Sequence, residues 1–222
     1  MPQDSSEHEA KVQDFFDRRV DAYDAFYEPH SAFERWFSRV FRKAVYLRRD
    51  QVPILAQRYG CKTMLDVGCG SGRNSVWFAR NGIERVHGID ISQEMTKEAI
   101  ALAEQAGVAD KCDFQHLDFG SMPTGEKFDL VGALGVFDYV EQPAEFLAHM
   151  AEFTNRVVYG SFPGYTLVRS PLRKIRYSLR GCPIRFYRKR ELEVLFGKLK
   201  FDHCEVLPVP SGYLAWAVRG SS

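Results

Sequence analysis

The stretch "MLDVGCGSGRNSVWFARNGIERVHGIDIS", residues 64–92, decides the fold. An apolar run ends in glycines at 68, 70 and 72, a helical pattern follows through Ala79, and a second apolar run closes on Asp90. Strand, tight glycine turn, helix, strand is the repeating unit of a parallel sheet. Glycines at such a turn let the backbone approach a ligand and aim free N–H groups at it. The dinucleotide fingerprint requires a glycine at position 73, where this chain has Arg73. The triphosphate loop requires Gly-Lys followed by Ser or Thr, which "GCGSGRNS" does not supply.

The acids narrow the ligand further. Asp66 lies inside the first strand, two residues before the first glycine, where an unpaired carboxylate is costly and a cationic group would relieve it. Asp90 ends the second strand, where a carboxylate can accept both hydroxyls of a ribose. Asp118 ends a third apolar run, in position to accept the exocyclic amine of an adenine. Three such groups at successive carboxyl ends of a parallel sheet mark the usual ligand crevice, and they imply an adenosine-containing ligand without phosphates.

Working outward, short apolar runs alternate with helical patterns: "TMLDVG", "RVHGID", "CDFQHLD", "FDLVGAL" and "RVVYGSF", with helices through Ala79, from Ser92 to Gly107 and over 143–153. After a break come a helix over 188–198 and two further strands, "FDHCEVL" and "YLAWAV". The pattern predicts an α/β, doubly wound, mostly parallel seven-stranded sheet. Upstream, Val12, Phe15, Phe16, Val20, Tyr23 and Tyr27 form one amphipathic stripe, and Phe33, Trp36, Phe37, Val40, Phe41 and Ala44 a second. These two N-terminal helices, residues 1–60, are expected to form a lid on a main domain of 61–222.

Composition removes several classes. A net charge of +1 gives no global argument for nucleic acid or membrane binding. Five cysteines without C-x-x-C spacing suggest neither a disulfide framework nor a zinc site, and no ligand cluster proposes a metal. The acidic, polar start has no signal-peptide pattern and no apolar run spans a bilayer, so a cytoplasmic setting is expected.

With these motifs in place, the chain resembles the class I S-adenosylmethionine-dependent methyltransferases from Lys62 to Arg219. The resemblance rests on "LDVGCGSG", "GIDIS", "LDF" and "FDLVGALGVFDYVEQP". It implies a Rossmann-like methyltransferase fold with S-adenosyl-L-methionine as cofactor. Gly68, Cys69 and Gly70, with Gly72 closing the loop, are implied to approach the methionine part, and Asp66 to face its ammonium. Asp90 is assigned to the ribose, Ile91 and Met95 to the adenine faces, Asp118 and Phe119 to the adenine edge, and Leu134 to the floor. Tyr23 of the first helix is a further cofactor-side candidate. Plainer roles stand beside these: Asp66 as the cap of a local turn, Met95 and Phe119 as core, Cys69 as a small filler, and His116 as a packed histidine rather than a base.

After the fourth strand, many small-molecule members of the family carry Glu-His where this chain has Asp138 and Tyr139. Either can take the proton of a hydroxyl acceptor; a carboxylate acceptor needs no base. "GALGVFDY" lacks the Pro-Pro-aromatic motif of amino-methylating nucleic-acid enzymes, and the Cys-Pro pair at 182 and 183 reverses the cytosine C5 nucleophile motif, so DNA is not expected as substrate.

The break in rhythm, residues 162–190, is a basic insert: nine Lys and Arg and no acid, against eight acids and three bases in residues 1–30. One reading docks the insert on the acidic N-terminal helix. The other has Arg173, Arg176, Arg180 and Arg185 clamp a small anionic acceptor, with Tyr177 and Tyr187 supplying flat surface for a ring. The N-terminal helices and the insert loosely resemble the magnesium-protoporphyrin O-methyltransferases. The expected function is methyl transfer to a small acceptor, on oxygen, with a homodimer compatible with it. Alternatives are a methyltransferase acting on RNA or protein and a non-catalytic cofactor-binding subunit.

Overall fold

The computed structural model describes residues 32–165, 184–210 and 212–220, with side chains from residue 46 onward. Helix α1 spans Ala32–Tyr59. It is followed by β1 (Thr63–Val67), α2 (Arg73–Arg80), β2 (Arg85–Asp90), α3 (Gln93–Gln105), β3 (Cys112–His116), a 3-10 turn (Phe119–Ser121) and β4 (Phe128–Ala133). Then come α4 (Pro143–Glu152), β5 (Thr154–Pro163), α5 (Lys189–Gly197), β6 (His203–Val209) and β7 (Gly212–Val218). The seven strands lie in the order 3-2-1-4-5-7-6, and only β7 runs antiparallel to its neighbours. This is the seven-stranded, mostly parallel sheet with helices on both faces that the sequence pattern predicts.

Strands buried on both faces must carry apolar residues on both, and the period of two sorts them into two cores. Met64, Leu130, Val157, Tyr159 and Trp216 point to the layer of α1, α2 and α3. Leu65, Val131, Val158, Ala215 and Ala217 point to the layer of α4 and α5. Edge strand β3 buries only Phe114. The two central strands β1 and β4 pair in register, Asp66 opposite Gly132, so the loops leaving their carboxyl ends are neighbours.

Val52, Leu55 and Ala56 of α1 belong to the core beneath β5 and β7. And α1 continues through Pro53, which cannot donate to the carbonyl one turn back. Its end is held from β5: the Tyr159 hydroxyl donates to the Arg48 carbonyl at 2.6 Å, and the Arg156 guanidinium to the carbonyls of Tyr59 and Gly60. The first amphipathic stripe, with Tyr23, lies outside the described residues. So do 166–183, which include Arg173, Arg176, Tyr177 and Arg180. Among the described residues no helix is long and apolar enough to cross a membrane.

Candidate functional site

The three glycines of the loop after β1 do three different things. All have positive φ, a region that favours glycine. At Gly68 a Cβ would overlap Cγ2 of Val136, so this glycine makes room for the loop after β4. At Gly72 a Cβ would lie 2.7 Å from Cβ of Ala99 and 3.1 Å from Phe114, so this one lets α2 sit against α3. Only Gly70 faces open space, with nothing within 4 Å. The expectation of free N–H groups is corrected as well. Gly68 and Cys69 donate to the Ile89 carbonyl at 2.8 and 3.0 Å, Gly72 to Cys69 at 3.1 Å, and Gly70 to the Asp90 carboxylate at 2.8 Å. A ligand meets the open surface over Gly70 rather than a nest of these donors. Cys69 turns its thiol inward, where burial raises its pKa, and is a filler.

Asp66 is 1% exposed and accepts a 2.6 Å hydrogen bond from the Ser75 hydroxyl, in the first turn of α2. Burial pushes its pKa up to about 7; the Ser75 bond opposes the rise and the charge of Asp90 adds to it. Near neutrality, then, this carboxyl is poised to ionise when a cation arrives. Ser75 was not singled out in the sequence. Its signal is a hydroxyl placed to face back along the strand from the helix that follows the glycine turn.

Asp90 is oriented by two backbone donors, Gly70 to Oδ2 and Ser92 to Oδ1 at 2.9 Å. Ile91 follows, its carbonyl 3.0 Å from Nε2 of His116. His116 is therefore an exposed tether rather than a packed ring. Met95 is buried in the first turn of α3, its N–H capped by the Ser92 hydroxyl. Asp118 caps the 3-10 turn, accepting from Gly120 N and from the Ser121 hydroxyl. The ring of Phe119 packs in the core against His149, Phe146 and Phe153, which leaves only its backbone for a ligand edge. Leu134 is half-buried above Gly132.

The loop after β4 is tied from a distance. Gly135 N donates to the Ser161 hydroxyl at 2.9 Å, and the Phe137 ring stacks on Phe162 at 4.2 Å. The Tyr187 hydroxyl donates to the Phe137 carbonyl at 3.0 Å, and Arg185 N to the Asp138 carbonyl at 2.8 Å. These bonds hold Asp138, 5% exposed, and the half-buried Tyr139 at the edge of the sheet.

Two of the predicted substrate residues, Arg185 and Tyr187, fall within the described residues. Tyr187 is fully buried in the core, its phenol pKa raised by that burial. The guanidinium of Arg185 donates to the Glu141 carbonyl at 3.2 Å and to Glu191 at 2.7 Å, so its two-pronged geometry is used within the protein. A groove lined by Tyr46, Arg49, Arg73, Trp77 and Arg80 runs along the helical layer of α1 and α2.

Residues 64–156 match the family model described as "Methyltransferase domain". The chain carries an S-adenosylmethionine-dependent methyltransferase domain. Among curated proteins, the chain is 33% identical over 104 residues to a ubiquinone biosynthesis O-methyltransferase of Psychrobacter arcticus, covering 46% of this chain and 40% of that one. It is 38% identical over 77 residues to a probable fatty acid methyltransferase of Pseudomonas putida, covering 35% and 20%. The chain thus matches less than half the length of either relative. Among solved structures, magnesium protoporphyrin IX methyltransferase from Synechocystis PCC 6803 with SAH bound superposes with a TM-score of 0.77 at 23% identity, covering 96% of this chain and 100% of that one. The methyltransferase domain therefore has its fold on independent footing, and its residues suit the family's cofactor: open space over Gly70, a buried acid awaiting a cation, and an acid fixed by backbone donors.

Proposed function

We propose that this protein transfers a methyl group from S-adenosylmethionine to a small acceptor that is anionic or ring-bearing, and does so on oxygen. One observation supports this above the rest. Asp66 and Gly70 on one side, and Asp138 and Tyr139 on the other, leave the same carboxyl edge of the paired strands β1 and β4. The relatives' names point the same way: fatty acid, ubiquinone biosynthesis and magnesium protoporphyrin IX all concern small molecules.

In this reading Asp66 meets the cofactor ammonium, Asp90 takes the ribose hydroxyls, Ile91 and Met95 flank the adenine, and Leu134 forms the floor. Asp118 and the backbone of Phe119 take the adenine edge. When bound, the cofactor supplies an electrophilic methyl on a sulfonium, displaced in line by the acceptor. The protein's share is alignment and exclusion of water, which together contribute up to about 7–11 kcal/mol. Asp138 takes the proton of a hydroxyl acceptor and Tyr139 orients it. Arg173, Arg176, Arg180 and Tyr177 remain the acceptor's charge and ring partners, on the strength of an insert with nine cations and no acid. Tyr23 remains a proposed residue of the cofactor side.

The test is transfer of a labelled methyl from S-adenosylmethionine to a panel of magnesium protoporphyrin, a catechol and a long-chain fatty acid. Label entering one of these supports the reading, and where the acceptor is the catechol hydroxyl, Asp138→Asn should remove the rising, acidic limb of the pH profile. Cofactor binding with label entering only RNA or protein would replace the small acceptor by a macromolecule.

A further inference from the structure

Between the glycine loop and the loop after β4, one side chain spans the gap. Val136 presses on Gly68 so closely that no Cβ could stand there, while Gly70 two residues on, and Gly135 next to Val136, each face open space with nothing within 4 Å. Because β1 and β4 are paired, anything lying over Gly70 and reaching toward Asp138 passes this side chain. Val136 is half-buried, with one flank on the glycine loop.

The side chain is also held in place. Its carbonyl accepts from Tyr139 N at 2.9 Å, which closes a turn around Phe137 and Asp138. The residue before it is anchored to Ser161, and the residue after it is buried, stacked on Phe162 and bonded through its carbonyl to Tyr187. A β-branched residue has little rotamer freedom of its own. The wall it forms is stiff at both backbone and side chain.

Resting on the cofactor reading above, we infer that Val136 is a specificity-determining residue that sets the size of the alkyl group carried on the sulfonium. A methyl clears it. An ethyl, one carbon longer, meets a branched side chain that cannot withdraw, because Gly68 lies behind it. A well-shaped apolar wall discriminates one methylene by roughly 10- to 200-fold. The effect belongs to the cofactor alone, so it can be read before the acceptor is known.

The experiment is calorimetric binding of S-adenosylmethionine, S-adenosylethionine and S-adenosylhomocysteine to the full-length wild type, Val136→Ala and Val136→Ile, each checked for folding by its melting temperature. The wild type should prefer the methyl over the ethyl compound by roughly tenfold or more. Val136→Ala should bring that ratio within about threefold while its affinity for S-adenosylhomocysteine, which has no such alkyl group, moves less than about threefold. Val136→Ile should widen the ratio, and reports independently if the alanine variant is poorly folded. A ratio near one in the wild type, or a ratio unchanged in both variants, overturns the inference. So does a parallel loss of all three ligands, which would make Val136 only a support for the glycine loop. If the folded wild type binds none of the three, the cofactor reading itself has failed and the inference falls with it.

Discussion

The loops after β1 and β4 leave the same edge of the sheet and are built in opposite ways. Residues 68–72 are held by backbone: successive glycines in left-handed conformations, N–H groups donating to Ile89 and Asp90 in the adjoining strand. Residues 134–141 are held by side chains from far along the chain, Ser161 and Tyr187 reaching back 26 and 50 positions. A loop held by backbone tolerates no added side chain. A loop held by hydroxyls tolerates conservative exchange and can be retuned one bond at a time.

The largest expected effect breaks the first loop. Gly68→Ala combines a disfavoured φ of 69° with overlap on Val136, and should cost about 2–5 kcal/mol and abolish cofactor binding. Adding Val136→Ala should recover part of that loss. It should recover nothing in Gly72→Ala, whose clash is with Ala99 and Phe114. Thermal unfolding of the two double-mutant cycles measures the difference, and equal recovery in both would show that the glycines do not act separately.

Next in size, Asp90→Ala removes the acceptor for Gly70 and Ser92 as well as a ligand contact, and should weaken S-adenosylhomocysteine by about 1.5–3 kcal/mol in calorimetry. Asp66 adds a pH dependence of definite sign. Its folded pKa of about 7 lies above the ordinary 3.8, so the ligand-free fold holds this proton where the unfolded chain has lost it. Stability from this group is therefore fully present below about pH 4, falls as pH rises to about 7, and is level beyond. Affinity for the cationic cofactor runs the other way, rising up to about tenfold per pH unit below 7 with release of a proton. Calorimetry in buffers of different ionisation enthalpy reads that proton, and Asp66→Asn should abolish it.

The smallest effect belongs to the second loop. Tyr187→Phe keeps the buried ring and deletes one hydrogen bond to Phe137, costing about 1 kcal/mol of stability. Cofactor affinity should stay within twofold of wild type, by roughly the scatter expected of an uncoupled site. A larger fall would mean the two loops share their supports.

The contrast also explains what could be read from residues alone. Strand alternation, the 68-70-72 spacing and the acids at 66, 90 and 118 are patterns of neighbours, and neighbours in sequence share one strand or one turn. The seven strands followed from them. Contacts between distant residues leave no such trace: Ser75 beneath Asp66, Val136 on Gly68, Tyr187 on Phe137. Composition misled for the same reason. Arg185 and Tyr187 belong to a basic, aromatic stretch, but composition carries no direction: Tyr187 is buried in the core, and the exposed Arg185 pairs with Glu191. In α1 the helical stripe was seen only as far as Ala44, because Pro53 interrupts the pattern that the helix itself passes through.

Where the insert begins and ends, the chain is pinched. Gly164 bridges to Tyr187, with Tyr187 N donating to Pro163 at 2.8 Å and Tyr165 N to Tyr187 at 3.2 Å. The two flanks of the insert thus meet at a doorway beside the sheet. Closing a loop costs entropy that grows only as the logarithm of its length, so whatever is hung on that doorway can be lengthened, shortened or exchanged with little strain on the sheet behind it. Under the proposed function, a graft at that doorway is a route to new acceptors with the cofactor side left untouched.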